Sequence, residues 1–274
     1  MNPPIVIATD FSAAANNALA YAARLAGRLQ STLHVVSVNV TLPPLTAALP
    51  EDTIAQMAYV DLLAGQHERT RAETEQARAA LERDYPGLPV QFNILEGGGM
   101  ADALLEYARK ESPLLLVLGT HHRDGAAGWD SNGLDLLKHA AYPLLMIPES
   151  YPVRNDGSRA LLAWDGRDID ARQRVQLARL RQVLGLRLDA VYVRPESGPE
   201  PGALAIGELP VTVHTVIGNN VAEGLNNYLS QDAHDLLVVL PHHHNLWERL
   251  FFKLHTADIV SEISVPVLVI PEVK

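Results

Sequence analysis

The chain has 274 residues, 47% hydrophobic and 20% charged, with 18 Gly, 18 Pro, no Cys and a formal charge of −10. These values fit one large or two ordinary globular domains and argue against sequence-independent nucleic-acid binding, which an acidic surface opposes; they exclude disulfides, thiolate metal sites and a cysteine nucleophile. With no apolar run near the roughly 20 residues of a membrane span, and no basic segment or signal-peptide core at the start, the expected location is the cytoplasm, away from membranes.

In chain order, Ile5 to Ala8 is a short unalternating apolar run closed by Thr9 and Asp10, as in a strand buried on both faces. Ser12 offers a helix N-cap, after which Ala14, Ala18, Leu25 and Leu29 recur at helical spacing. Leu33 to Val40 is a second strand, followed by a loop with Pro43, Pro44 and Pro50 and a long polar helix over about 53–84. Val90 to Leu95 is a third strand. Gly97-Gly98-Gly99 turns into a helix over 100–110, Leu114 to Leu118 is a fourth strand, Asn132 to His139 a helix, and Leu144 to Ile147 a fifth strand between Pro143 and Pro148. Strands alternating with helices imply a parallel sheet covered on both faces.

The pattern then repeats. Ala160 to Trp164 with Asp165 echoes Ile5 to Asp10 at an offset of 155, and Leu186 to Val193 echoes the second strand. Leu209-Pro210-Val211 matches Leu88-Pro89-Val90 at 121, as do Ala222, Leu225 and Tyr228 with Ala101, Leu104 and Tyr107; Pro266 and Pro271 match Pro143 and Pro148 at 123. The drop from 155 to 121 removes about the length of the long helix and its entry loop. Pro195 to Pro210, rich in Pro, Gly and Glu, stands there and does not supply a long helix. Two homologous domains are expected, at 1–150 and 159–274, the second lacking one covering helix. The neighbouring domain or a second chain is the expected cover for the face left open.

Laid out twice, Ile5-Val-Ile-Ala-Thr-Asp10-Phe-Ser12, Leu33 to Val38, Leu115 to Gly119-Thr-His-His-Arg123 and Pro143 to Pro148, with Leu162-Ala-Trp-Asp165-Gly166, Leu236 to Leu240 and Val265 to Pro271, resemble the universal stress protein family in its tandem form. The resemblance covers nearly the whole chain. It implies two flavodoxin-like (adenine-nucleotide alpha-hydrolase-like) α/β domains, each with a five-stranded parallel sheet of order 3-2-1-4-5. A binding crevice is then expected between strands one and four, and the two domains are expected to pair as a pseudo-dimer.

ATP-binding members of that family carry Gly-x-x-Gly, nine residues, then Gly followed by Ser or Thr; small residues there let backbone N–H groups cradle phosphates. On that pattern Gly119 is kept, His122 stands for the second Gly, and the last pair falls on Asn132 and Gly133, with Asp124 and Asp130 adding negative charge. In the second copy Pro241 is placed at the first Gly, His244 at the second and His255 at the third, while Thr256 keeps the hydroxyl. Asp10 and Asp165, with Val38 and Val193, match the positions that face the nucleoside in the family.

His121-His122 and His242-His243-His244 sit at matching places past strand four. In extended chain His242 and His244 point the same way; with Asp165 across the crevice they form a candidate zinc set, while as solvated or hydrogen-bonded loop residues they only fill phosphate space. No catalytic residue is assigned, because no Ser, Thr or Lys is placed as a nucleophile and no HExxH, P-loop or GxSxG occurs. Arg167, Arg172, Arg174, Arg179, Arg181 and Arg187 make the second domain's first helix basic: a solvated face, or one docked on the acidic first domain or on a second chain in a homodimer. Trp247, Leu250, Phe251, Phe252 and Leu254 form an apolar segment for core packing or association. Three functions follow: a stress-response binding or regulatory module with degenerate ATP loops, an adenine-nucleotide binder (AMP or ATP) with slow hydrolysis, and a histidine-based zinc binder.

Overall fold

The structure, a computed structural model, describes residues 2–40, 53–120, 131–153, 158–241 and 264–272, with backbone alone for Val40, residues 53–59, residues 131–134 and Ala222. The first half contains β1 (Ile5–Ala8), α1 (Ala13–Leu29), β2 (Leu33–Val40), α2 (Thr53–Asp84), β3 (Val90–Gly97), α3 (Met100–Glu111), β4 (Leu115–Thr120), α4 (Ser131–His139) and β5 (Leu144–Pro148). The second contains β6 (Arg159–Trp164), α5 (Ala171–Leu184), β7 (Arg187–Arg194), β8 (Leu204–Ile206), β9 (Leu209–Ile217), α6 (Val221–Gln231), β10 (Leu236–Val239) and β11 (Val267–Val269). No described helix is long and apolar enough to cross a membrane.

The eleven strands among the described residues form one sheet, in the order β3-β2-β1-β4-β5-β11-β10-β6-β7-β9-β8. Within each half the five main strands are parallel, and the second half repeats the first in reverse order across the sheet. The register fixes the correspondence. Ile5 pairs with Leu33 and Leu115, and Ala160 with Leu188 and Leu236, which gives offsets of 155 for the first two strands and 121 for the fourth. Leu116 faces Leu144 and Leu237 faces Val267, which gives 123 for the fifth. The halves join where β5 and β11 pair antiparallel, with Leu145 opposite Leu268 and Leu144 opposite Val269. Leu145 and Leu268 are equivalent residues, so an internal twofold axis passes between them.

Side chains alternate across the sheet. Ile5, Ile7, Val117, Leu145 and Leu162 face a layer of α1, the end of α2, α5 and β8, while Val6, Val36, Leu116, Leu144 and Leu161 face α3, α4 and α6. Burial on both faces explains the unbroken apolar runs of the central strands.

The segment between β7 and β9 is described throughout and holds no helix. Arg194 organises it, donating from Nη1 to the carbonyls of Pro195, Glu196 and Gly198 and pairing through Nη2 with Glu200. The chain then forms β8, antiparallel to β9, an element too short to read from sequence. Leu204 and Ile206 of β8 are buried in the cluster that α2 enters through Leu81. This hairpin covers part of the face expected to need the other domain or a second chain and leaves Val175 of α5 exposed. Arg167 and Arg187 flank α5 and lie outside it.

The connection between the halves is held down. Asn17 donates to the carbonyls of Pro148 and Tyr151, each at 2.9 Å, and Arg24 to that of Val153 at 2.7 Å. Tyr151 is buried with its ring 6.2 Å from Tyr21, and its hydroxyl donates to the Asp235 carbonyl of the second half at 3.3 Å.

Candidate functional site

In the first half β1 lies between β2 and β4. The chain leaves β1 through α1 on one face of the sheet, while β4 is followed by α4 on the other. Their carboxyl ends therefore diverge and open a crevice.

The turn after β1 is built by short side chains. Buried Thr9 accepts from the Phe11 N–H at 2.9 Å, the exposed Asp10 carboxylate from the Ser12 N–H at 3.0 Å, and Ser12 Oγ from the Ala15 N–H at 3.3 Å. Phe11 takes a left-handed φ of 60°, with its carbonyl held by the Asn16 side chain at 2.9 Å. Ser12 thus caps α1, whose first turn carries no acidic residue, and the Asp10 carboxylate lies just before that cap.

Gly119, near the end of β4, packs on that turn. A Cβ there would lie 2.4 Å from the Ala14 carbonyl oxygen and 2.7 Å from the Ala15 nitrogen. The requirement for glycine is a helix resting on the strand, in addition to any ligand approach. Val38 is half-buried near the end of β2, opposite Leu95 of β3. Asn132 and Gly133 lie in the first turn of α4, the second helix to begin after a strand lining the crevice. His121, His122, Asp124 and Asp130 lie outside the described residues.

The second half departs at each of these points. Strand register places Leu240, not Pro241, opposite the role of Gly119; Pro241 takes the place of Thr120. Leu240 is buried, and Ile169, the counterpart of Ala14, is buried in the same cluster. Two large residues stand where the first half has a glycine and an alanine, and α5 accordingly begins at Ala171 instead of 168. Its cap is Asp170, which accepts from Gln173 N–H at 3.2 Å and Arg172 N–H at 2.9 Å; these backbone donors, that of Gln173 foremost, hold its carboxyl below the usual aspartate range. Asp165 accepts from Arg167 N–H at 3.0 Å, with the Arg167 guanidinium 3.7 Å away. Gly166 repeats the positive φ of Phe11, at 81°. Gln173, fully buried, donates to the carbonyls of Pro241 and Ile270 at 3.0 Å each and ties α5 to the ends of two strands. Val193 packs on α6, where a Cβ on Gly224 would come within 2.8 Å of its Cγ1. At this end of the half large apolar residues replace small ones, Asp165 and Asp170 stand beside Arg167 and Arg172, and the first helix is set back.

His242, His244, His255 and Thr256, with the apolar segment from Trp247 to Leu254, lie outside the described residues. Asp165, the third member of the zinc set, is engaged by Arg167, and among the described residues no group of three metal-ligating side chains gathers.

A polar cluster at the opposite end of the strands escaped the sequence reading. Asn93 Nδ2 donates to the Tyr107 hydroxyl at 2.9 Å, and that hydroxyl shares a hydrogen bond of 2.9 Å with His34 Nδ1, with Glu111 3.9 Å from the same nitrogen. Burial pushes His34 below its usual range against the pull of Glu111, and burial followed by Glu111 raises Tyr107 to about 12. The second half repeats Tyr107 as Tyr228 and Glu111 as Asp232, here paired with Arg159 at 3.0 Å. The signal was present in the register: Asp189 and His214 stand at the counterparts of His34 and Asn93.

Comparison with known proteins agrees with this architecture. The model of the universal stress protein family matches residues 1–148 and again 152–271. A universal stress protein from Archaeoglobus fulgidus superposes with a TM-score of 0.68 at 15% identity, over 98% of this chain and 96% of that one. A putative universal stress protein from Pseudomonas aeruginosa gives 0.56 at 15% identity, over 98% and 93%. A universal stress protein family protein from Arabidopsis thaliana with AMP bound gives 0.33 at 18% identity, over 53% and 91%. No curated protein matches the chain. With its family pattern present twice and one sheet built from both copies, the chain belongs to the universal stress protein family and carries two of its domains in tandem.

Proposed function

We propose that the chain is a binding or regulatory module whose first unit, 1–150, takes adenosine or AMP in preference to ATP, while the second, 159–274, serves as its paired scaffold. The observation that carries this reading is the contrast between the two helix starts. Neither helix has an acidic residue in its first turn, but α1 is capped by neutral Ser12 with Asp10 alone before it, whereas α5 is set back and capped by Asp170, with Asp165 and Asp168 before it. A helix amino terminus attracts an anionic group, and a carboxylate placed there competes with it.

In this reading Asp10 accepts from ribose hydroxyls and Val38 packs on the base. Gly119 and the first turn of α4, with Asn132 and Gly133, offer backbone N–H groups to one phosphate. His122, Asp124 and Asp130 oppose further phosphates by bulk and charge. The reading assigns no catalytic residue and gives Asp165, Val193, His244 and Thr256 no part in binding.

Calorimetric titration of adenosine, AMP and ATP against the full chain tests it. Each lost charge-assisted hydrogen bond costs about 1.5–3 kcal/mol, so ATP is expected to bind about 10- to 100-fold more weakly than AMP. ATP binding as tightly as AMP, or no binding by any of the three, overturns it.

A further inference from the structure

Loss of the long helix leaves a mark on α5. Val175 is the counterpart of Ala20 in α1, whose carbonyl accepts from the Tyr85 hydroxyl just past the end of α2, at 3.2 Å. The β8 hairpin buries Leu204 and Ile206 but leaves Val175 68% exposed. Arg172, Val175, Arg179 and Val183 follow one another at three- and four-residue spacing along the exposed side of α5. The helix also carries Arg174 and Arg181 and no carboxylate. The result is an exposed apolar ridge flanked by guanidinium groups.

The same face of the sheet carries a matching hollow. Between α1 and α2 runs a groove of about 430 Å³, floored by Leu19, Ala20, Ala77 and Ala80 and walled by Glu73 and Asp84, with no cation among its lining residues. Asp84 already shares Arg83, which leaves Glu73 as the clearer counter-charge. Groove and ridge belong to one layer, since Leu19 and Leu81 share a core cluster with Leu177 and Leu180 of α5. The fifth-strand edges are not available for joining two chains, because β5 and β11 pair with each other.

We propose that α5 of one copy seats in the α1–α2 groove of a second copy, and the reverse, giving a closed twofold dimer stacked through this face. Val175 enters the apolar floor and Arg179 meets Glu73. A twofold axis lying parallel to the strands, between the two stacked faces, brings the second half of each copy over the first half of the other. Both contacts then form in one step, and no unsatisfied ridge remains to propagate a filament.

The cysteine-free chain makes the test direct. Val175→Cys together with Ala80→Cys is expected to give a disulfide-linked dimer on oxidation, while either substitution alone gives none. Analytical ultracentrifugation of the full chain is expected to show a dimer that dissociates as salt rises from about 0.05 to 0.5 M. Val175→Asp with Arg179→Glu is expected to weaken it at least ~10-fold, and Arg179→Glu with Glu73→Arg to recover more of it than Arg179→Glu alone. Both α5 positions are exposed, so an unchanged circular dichroism melt separates lost association from lost folding. A wild-type chain that stays monomeric at ~100 µM, a dimer indifferent to Val175→Asp with Arg179→Glu, or a ladder of higher cross-linked species overturns the proposal.

Discussion

Gly119 rests on Ala14. No side-chain carbon fits between them, because a Cβ on the glycine would meet the alanine carbonyl oxygen at 2.4 Å. Their counterparts in the second half are Leu240 and Ile169, both buried. Exchange of two small residues for two large ones displaces the start of the following helix by three residues. The helix of the second half starts three residues later over an otherwise repeated sheet.

That relationship predicts a cost for adding volume at one position and for removing it at the equivalent one. Gly119→Ala forces the first turn of α1 away from β4 and is expected to cost about 1–3 kcal/mol, the range for overpacking. Leu240→Ala empties a filled site and is expected to cost about 2–5 kcal/mol. Chemical denaturation of the two variants measures both. A stable Gly119→Ala chain would show that the helix is not seated on the glycine.

The internal axis predicts coupling. Leu145 and Leu268 face each other in the β5–β11 pair, with both side chains in the same core cluster. Each single change to Ala is expected to cost about 2–5 kcal/mol. The double variant is expected to depart from the sum by at least ~0.5 kcal/mol, since touching residues share a cavity. Additive costs in a denaturation cycle would mean that the halves do not pack through these leucines.

The buried His34 predicts an acid limit to stability. Burial lowers its folded-state pKa below the unfolded 6.5, so the unfolded chain binds more protons in the interval between the two values. The contribution of neutral His34 is complete above about pH 6.5 and falls as the pH drops towards the folded value. Glu111 opposes the shift, so Glu111→Gln is expected to steepen the loss and His34→Gln to flatten it. Urea midpoints at pH 8, 6.5 and 5 check this; a stability independent of His34 across that range would contradict it.

Much of the architecture was legible because the chain repeats itself. The offsets 155, 121 and 123, read from Asp10 and Asp165, Tyr107 and Tyr228, and Pro143 and Pro266, are those of the strand registers. The three-residue β8 was not legible, since Leu204 and Ile206 lie in a segment whose Pro and Gly content reads as loop. The placement of Pro241 against Gly119 failed for another reason. Matching residue types along the loop shifted the alignment by one position, whereas the offset of 121 carried on from Tyr107 and Tyr228 puts Leu240 there, as does the pairing of β10 with β6. The cluster around His34 went unnoticed because its members are separated by tens of residues and meet only when β2, β3 and α3 pack.

The central claim is that one crevice of the two accepts an adenine nucleotide. Calorimetric titration of AMP against the wild-type chain, Asp10→Ala and Asp165→Ala tests it most directly. The account predicts one site per chain, weakened at least ~10-fold by Asp10→Ala, the loss of a charge-assisted hydrogen bond, and unaltered by Asp165→Ala. Two sites per chain, or a single site that responds to Asp165→Ala and not to Asp10→Ala, would contradict it.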